Sequence, residues 1–320
     1  MSNTLPPLDP LITVAVITYN QKDLLKETLD SILGQKTEYS FEVLVCDDAS
    51  TDGTEFMCRD LEAASNGKVK YLRLARNLGI TANSNQGIQF AKGKYFALIG
   101  GDDLFLPNKL QVQTSHMENN PEVTISFHPV DIFDSASNAT LHLTNQTSVD
   151  TPLTLHHLMR ICIPGAVSVM VRRDAIPEGG FDVRLPTVSD WLFYIEVAAK
   201  GRIGFIPDVL ARYRKHGNQA SFRTYELLEE SLLNLDYAME KLGPLAEGLS
   251  VPVKQGKARY LSGEAFRQLT SGNRIIARKL LKKALKMEFR PIFIGGLMVA
   301  YLPISPSLFQ KIKSCAKKYF

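Results

Sequence analysis

Val43-Leu44-Val45-Cys46-Asp47-Asp48-Ala49-Ser50-Thr51-Asp52-Gly53-Thr54 is the stretch on which the fold turns. An apolar, β-branched run stops abruptly at two carboxylates, and a turn of Ser, Thr, Asp and Gly follows. Such a run predicts a strand buried on both faces, from Phe41 to Cys46, whose carboxyl end delivers acid groups to a polar rim. The same pattern repeats on either side. Ile12 to Thr18 predicts a first strand, followed by Asn20, read as an N-cap, and a helical stripe of Leu24, Leu25, Thr28, Leu29, Ile32 and Leu33. A helix reaching about Ala64, a strand Val69 to Leu74, a helix Ile80 to Ala91, a strand Lys94 to Ile99 and a proline-started helix Pro107 to Met117 continue the series. Strands alternating with helices of this length imply right-handed crossovers and a mostly parallel α/β sheet.

Ligands of such sheets bind in the crevice beyond the carboxyl ends of the strands. Three polar clusters fall there: Thr18-Tyr19-Asn20, Asp47-Asp48, and Gly100-Gly101-Asp102-Asp103. Adjacent carboxylates behind two glycines suit a hard cation that also holds phosphate oxygens, because glycine lets ligand and backbone approach closely. The plainer alternatives are an Asx turn after Asp47 and a turn capped by Asp103. Further on, Val123 to His128 and Val167 to Arg172 read as strands, and Asp134 to Asp150 as a loop or short antiparallel strands. Trp191 to Ala199 reads as a short helix, Gly204 to Tyr213 as one further strand, and everything beyond Tyr225 as helix punctuated by Pro244, Pro252 and Pro291.

The segments "VAVITYN" (14–20), "VLVCDDASTDGT" (43–54) and "ARNLGITANSNQGIQFAKGKYFALIGGDD" (75–103) resemble, in order and spacing, the nucleotide-binding half of glycosyltransferase family 2, of the bacterial cell-envelope polysaccharide type. The resemblance implies a GT-A-type, Rossmann-like sheet flanked by helices over residues 11–222. A nucleotide-binding half (11–118) and an acceptor half (119–222) would precede a basic helical C-terminal appendage (223–320). It further implies that Thr18, Tyr19 and Asp47 hold the nucleotide base, with Asn20 in the same loop, Asp48 near the ribose and Asn77 along the donor. Asp102 would bridge Mg²⁺ or Mn²⁺ to the diphosphate, with Asp103 beside it. "TVSDWLFYIEVAAKG" (187–201) is similar to the family's acidic-Trp segment and makes Asp190 the general base; a helix cap is its plainer role, and Asp182 and Glu196 are the other candidates. "ARYRKHGNQAS" (211–221) resembles the basic loop that follows, in which His216 would complete the metal shell and Arg212 or Arg214 would offset diphosphate charge. Two positions depart from the pattern: Gly100 stands where an acidic residue is common, and Ser84 where an Arg often stands.

The expected activity is inverting transfer of a sugar from a nucleoside-diphosphate donor, UDP-linked, to a saccharide or lipid-linked acceptor. The alternative is a non-catalytic sugar- or nucleotide-binding protein on a degenerate transferase scaffold. A nucleotidyltransferase would want a glycine-rich loop after the first strand, and "TYNQKDLLK" (18–26) has none. The formal charge of +4 conceals an asymmetry: Lys254 to Phe320 carries 15 Lys and Arg against Glu264 and Glu288, a local net of +13, which leaves −9 on the rest. That balance excludes a general nucleic-acid binder and points the C-terminal tail at an anionic membrane surface, through a basic amphipathic run from Arg274 to Lys286 and the short apolar segment Ile292 to Leu302, which can lie in an interface. Met1 to Pro10 lacks the basic and apolar regions of a secretory signal, and Ile292 to Leu302 is too short to span a bilayer. The four cysteines, Cys46, Cys58, Cys162 and Cys315, form no CxxC pair and read as structural thiols of a reducing compartment. The expected location is the cytoplasm, peripheral on the inner face of the membrane.

Overall fold

The computed structural model describes residues 9–144, 153–163, 165–217 and 223–302. The chain divides into two compact units, 1–158 with 162–219, and 159–161 with 220–320.

In the first unit, β1 (Ile12–Thr18), β2 (Phe41–Asp47), β3 (Val69–Arg73) and β4 (Tyr95–Gly100) are joined by α1 (Lys22–Leu33), α2 (Thr54–Ala64) and α3 (Ile80–Phe90). After β5 (Leu104–Phe105) and α4 (Lys109–Asn119) come β6 (Val123–Phe127), β7 (Val130–Asp134), β8 (Thr140–Leu143) and α5 (Leu155–Arg160). The unit closes with β9 (Met170–Arg172), α6 (Asp190–Ala198), β10 (Arg202–Phe205) and β11 (Ala211–Lys215). A seven-stranded sheet runs β10-β6-β9-β4-β1-β2-β3, and a four-stranded sheet runs β5-β11-β7-β8. β9 alone is antiparallel to its neighbours in the large sheet. Val14, Val16, Val43, Val45, Ala97 and Ile99 bury one face of that sheet against Leu25, Leu29 and Ile32 of α1, so the helical stripe does the work its spacing predicts. The parallel register pairs Thr18 with Asp47 and Ile17 with Gly100, which brings the three polar clusters to one rim.

The structure corrects four local readings. Asn20 has a φ of +50° and is not the cap of α1, which starts two residues later behind Gln21. Pro107 precedes α4 rather than opening it, because Asn108 takes a left-handed conformation between them. Val167 lies in a 3₁₀ turn (Ala166–Ser168), leaving β9 only three residues. The single strand expected over Gly204 to Tyr213 is two strands in different sheets, since Pro207 has no N–H for a ladder and the chain changes sheet around it.

Lys109, at the start of α4, is fully buried. Its ammonium donates to Gln113 Oε1 and lies 4.7 Å from the Phe105 ring centroid; burial lowers its pKa to about 7. An unfolded lysine holds its proton to about pH 10.4, so between pH 7 and there the unfolded chain binds more protons and this group makes stability rise with pH. The expected result for Lys109→Met is a gain in thermal stability over the parent that is largest at neutral pH and shrinks steadily towards pH 10. A difference that does not change with pH would show that the amine titrates normally in the folded state.

The second unit is helical: α7 (Leu228–Leu242), α8 (Ser250–Thr270), α9 (Arg274–Met287) and α10 (Pro291–Tyr301). Ala277, Leu280, Leu281 and Ala284 of α9 form a core with Leu261, Ala265 and Leu269 of α8 and with Phe293 and Ala300 of α10. Most of the apolar side of the basic amphipathic run is therefore covered by protein, while Ile275 stays exposed. Its basic residues Lys279, Lys282, Lys283 and Lys286 are exposed. No helix among the described residues is long and apolar enough to cross a membrane.

Candidate functional site

The rim is assembled by backbone register and by side chains that bind neighbouring loops. Asp48 N–H donates to Thr18 O (3.0 Å) and Gly101 N–H to Ile17 O (2.8 Å), tying the loop after β1 to those after β2 and β4. Gly101 is required by closeness: a Cβ there would stand 2.8 Å from Gln21 Nε2 and 3.1 Å from Thr18 Oγ1. Asn20 accepts from Thr51 N–H at 2.7 Å and donates its own N–H to Ser50 Oγ at 2.9 Å, so the residue read as a cap stitches two rim loops instead.

The two acids of the β2 end face inward. Asp47 is fully buried; Oδ1 accepts from Ser50 N–H, and Oδ2 accepts from Tyr71 OH at 2.6 Å with Arg73 Nη1 at 3.5 Å. Burial and this carboxylate push the Tyr71 hydroxyl far up. Asp48 accepts from Leu78 N–H (2.7 Å) and Gly79 N–H (2.9 Å), pinning the loop that carries the exposed Asn77. At this end Tyr19 is 47% exposed, while the Thr18 hydroxyl is buried and has no hydrogen-bond partner among the described residues.

At the β4 end, Asp102 Oδ2 lies 2.9 Å from His216 Nε2, joining two candidates 114 residues apart in the chain. Asp103 is placed differently: it is buried, and Oδ1 accepts from Arg214 N–H at 2.9 Å. Burial, and then the charge of Asp102, raise its pKa well above the usual aspartate value, and its bond to Arg214 anchors β11. A carboxylate and an imidazole suit Mg²⁺ or Mn²⁺ if substrate oxygens complete the shell, and no group of three or more His, Cys, Asp or Glu at metal spacing occurs among the described residues. At Gly100, a Cβ would fall 2.6 Å from Asp102 Oδ1. The Asp102 side chain thus leans into the space that a longer residue at 100 would take. The residues fit a two-ligand cation site.

The cations of the β11 loop differ from expectation. Arg214 is buried, donating to Glu27 Oε2 (2.6 Å) and to the Asp102 carbonyl (2.7 Å). Arg212 pairs with Asp131 at 2.7 Å and stacks on Phe133. Both hold structure rather than waiting for a diphosphate. Lys215, which the sequence reading passed over, feels both Asp102 and Asp103, while burial lowers its pKa. Its only sequence signal was its place beside His216. Residues 218–222 of the loop lie outside the described residues.

Asp190 is the first residue of α6, partly exposed, with Oδ1 accepting from Trp191 N–H at 2.9 Å. Trp191 itself is core, its indole N–H donating to the Leu158 carbonyl. Burial and then the charge of Asp190 push Tyr194 well up, as they do Cys162. Asp182 is paired with Arg184 at 2.7 Å. The loop leading to Asp190 is fastened to α3. Thr81 Oγ1 donates to the Leu185 carbonyl and meets Ser189 Oγ at 2.8 Å, and Asn85 makes two 2.8 Å hydrogen bonds with the Phe181 backbone. Since Asp48 pins the N-terminal side of α3, Asp190 and the rim at the β2 end share one connection through α3. Thr81→Val, which strands a buried carbonyl, is expected to cost ~1–3 kcal/mol of stability. It should also lower turnover more than donor affinity, with Thr81→Ser restoring both. Unchanged turnover in a folded Thr81→Val protein would mean the connection does not position Asp190.

Residues 13–180 match the family described as Glycosyl transferase family 2. An uncharacterised protein of Mycobacterium tuberculosis is 31% identical over 217 residues, covering 65% of this chain; the chain spans only 59% of that relative's length. An uncharacterised glycosyltransferase of Methanocaldococcus jannaschii is 26% identical, covering 64% of this chain and 71% of the relative. Among solved structures, TarS 1-349 of S. aureus in complex with UDP-GlcNAc superposes with a TM-score of 0.65 at 15% identity, covering 96% of this chain and 91% of that one. A mannosyltransferase of Pyrobaculum calidifontis in complex with GDP-Man and Mn²⁺ gives a TM-score of 0.56 at 18% identity, over 92% and 86% of the two chains. At such identities the likeness shows a shared fold, the GT-A α/β architecture with C-terminal helices.

Proposed function

The chain belongs to glycosyl transferase family 2, and from that premise we propose that it transfers a sugar from a nucleoside-diphosphate donor, UDP-linked, to a hydroxyl of a saccharide or lipid-linked acceptor, with inversion at the anomeric carbon. The observation that carries this reading is the pairing of Asp102 with His216 on the rim that also holds Thr18 and Tyr19. Tyr19 and Thr18 meet the base, and Asp47 and Asp48 hold the loops around it. Asn77 lies along the donor, while Asp102 and His216 would hold Mg²⁺ or Mn²⁺. The cation, when bound, offsets negative charge on the departing diphosphate. Asp190 accepts the proton of the acceptor hydroxyl as that oxygen bonds to the anomeric carbon. The bond from that carbon to the diphosphate oxygen breaks on the opposite face, which inverts the configuration. The fold neighbours crystallised with UDP-GlcNAc and with GDP-Man and Mn²⁺ support a nucleotide-sugar donor and a divalent cation. The work belongs in the cytoplasm, in cell-envelope polysaccharide synthesis at the inner membrane face.

Gly100 favours one competing reading, a binding protein that has lost the reaction. Incubation with a panel of UDP- and GDP-sugars and Mn²⁺, with chromatographic detection of released nucleoside diphosphate, separates the two. Turnover of one donor is expected; saturable donor binding with no release under any acceptor condition would favour the binding protein.

A further inference from the structure

α10 is apolar on every side: Pro291-Ile292-Phe293-Ile294-Gly295-Gly296-Leu297-Met298-Val299-Ala300-Tyr301 contains no charged residue. Phe293, Gly296 and Ala300 face inward, packed with α8 and α9. A helix buried along one stripe normally turns polar groups to water. Here the outward side keeps Met298 61%, Tyr301 57% and Leu302 51% exposed, and Phe289 just before the helix is 73% exposed. Apolar groups gathered like this on a surface mark an interaction site.

Its border is basic. Arg274 donates to the Leu302 carbonyl (2.6 Å), Arg278 lies 4.7 Å from the Tyr301 ring centroid, and Lys282 lies 5.9 Å from it. These three share one side of α9 at four-residue spacing, and exposed Lys279, Lys283 and Lys286 continue the charge. The only acid from Arg274 to Leu302 is Glu288, and it is paired with Arg290 at 2.8 Å.

We infer that the outer side of α10, with Phe289 and the basic row of α9, is the surface on which the protein lies against an anionic lipid bilayer. The inference rests on the membrane-side location proposed above, but not on the transfer reaction. It narrows the contact within the tail: most of the apolar stripe of α9 packs inside the unit, and α10 with Phe289 supplies the inserted surface. A bilayer matches both parts, because its anionic headgroups meet the lysines while the acyl layer below takes Phe289, Met298 and Leu302, with Tyr301 at the boundary. A second copy of the chain would set one basic row against another. An 11-residue helix lies in the interface and cannot span it.

The test is co-sedimentation of the full chain with phosphatidylcholine vesicles, with and without phosphatidylglycerol, at low and high salt, alongside light scattering of the free protein. The parent should bind the anionic vesicles and be released by salt. Phe289→Glu with Met298→Glu, both at exposed positions, should lower the partition coefficient at least tenfold. Lys279→Glu with Lys283→Glu should abolish the preference for phosphatidylglycerol. Circular dichroism and release of nucleoside diphosphate from soluble donor should stay at parental values in both variants, which separates a failure here from a failure of the catalytic reading. No preference for anionic vesicles overturns the inference, as does parental binding by the glutamate variants. A dimer that Met298→Glu dissociates would equally overturn it by making a second copy the occupant.

Discussion

Asp190→Asn is expected to lower turnover by ~10²–10⁴-fold, the usual loss when a general base is removed, while donor affinity stays near the parental value. The side chain sits at the amino end of α6, where the helix dipole favours a negative charge, and it is partly exposed. Behind it Trp191 and Tyr194 are almost wholly buried, so the helix end is rigid. Asparagine keeps the shape and can still accept from Trp191 N–H, but it cannot take the acceptor's proton. Initial rates together with calorimetric donor binding separate chemistry from affinity. Normal turnover would remove Asp190 from the mechanism and turn attention to Glu196, since Asp182 is held by Arg184.

Asp102→Asn should reduce the Mn²⁺-dependent part of donor affinity by ~10–100-fold or more, because even outer partners of metal ligands have effects of that size. The loss should be severe here because Gly100 offers no second carboxylate to take over and Asp103 is committed to β11. Folding should survive, since Arg214 grips the Asp102 carbonyl rather than its side chain. Titration of Mn²⁺ followed by electron paramagnetic resonance, with and without nucleoside diphosphate, reads the effect without any turnover. Equal Mn²⁺ uptake by parent and variant would move the cation site away from Asp102.

What could be read in advance follows the range of the interactions. Strand runs such as Val43 to Cys46, and the turns that end them, are local, and they suffice to place Thr18, Asp47 and Asp102 on one rim. The inward role of Asp47 was hidden because Tyr71, its partner, is 24 residues away and looks like an ordinary strand residue. Arg214 was misjudged for the same reason: its partner Glu27 is 187 residues distant, and a basic loop gives no sign of which arginines are buried. The pairing of Asp102 with His216 was legible only through family resemblance. The stripe on α9 was correctly seen as apolar, but which surface covers most of it was not legible, since helical periodicity cannot distinguish a face that meets lipid from one that meets α8 and α10.

The most direct test of the central claim, that this rim binds a nucleotide-sugar through a cation on Asp102 and His216, is a thermal-shift panel on the full chain. Nucleoside diphosphates and their sugars are each run with Mn²⁺ and with chelator. Stabilisation by one uridine diphosphate sugar is predicted in Mn²⁺, about 2.7 kcal/mol at a hundredfold excess over its dissociation constant, falling sharply in chelator. No stabilisation by any nucleotide in either condition, or equal stabilisation in both, would contradict it.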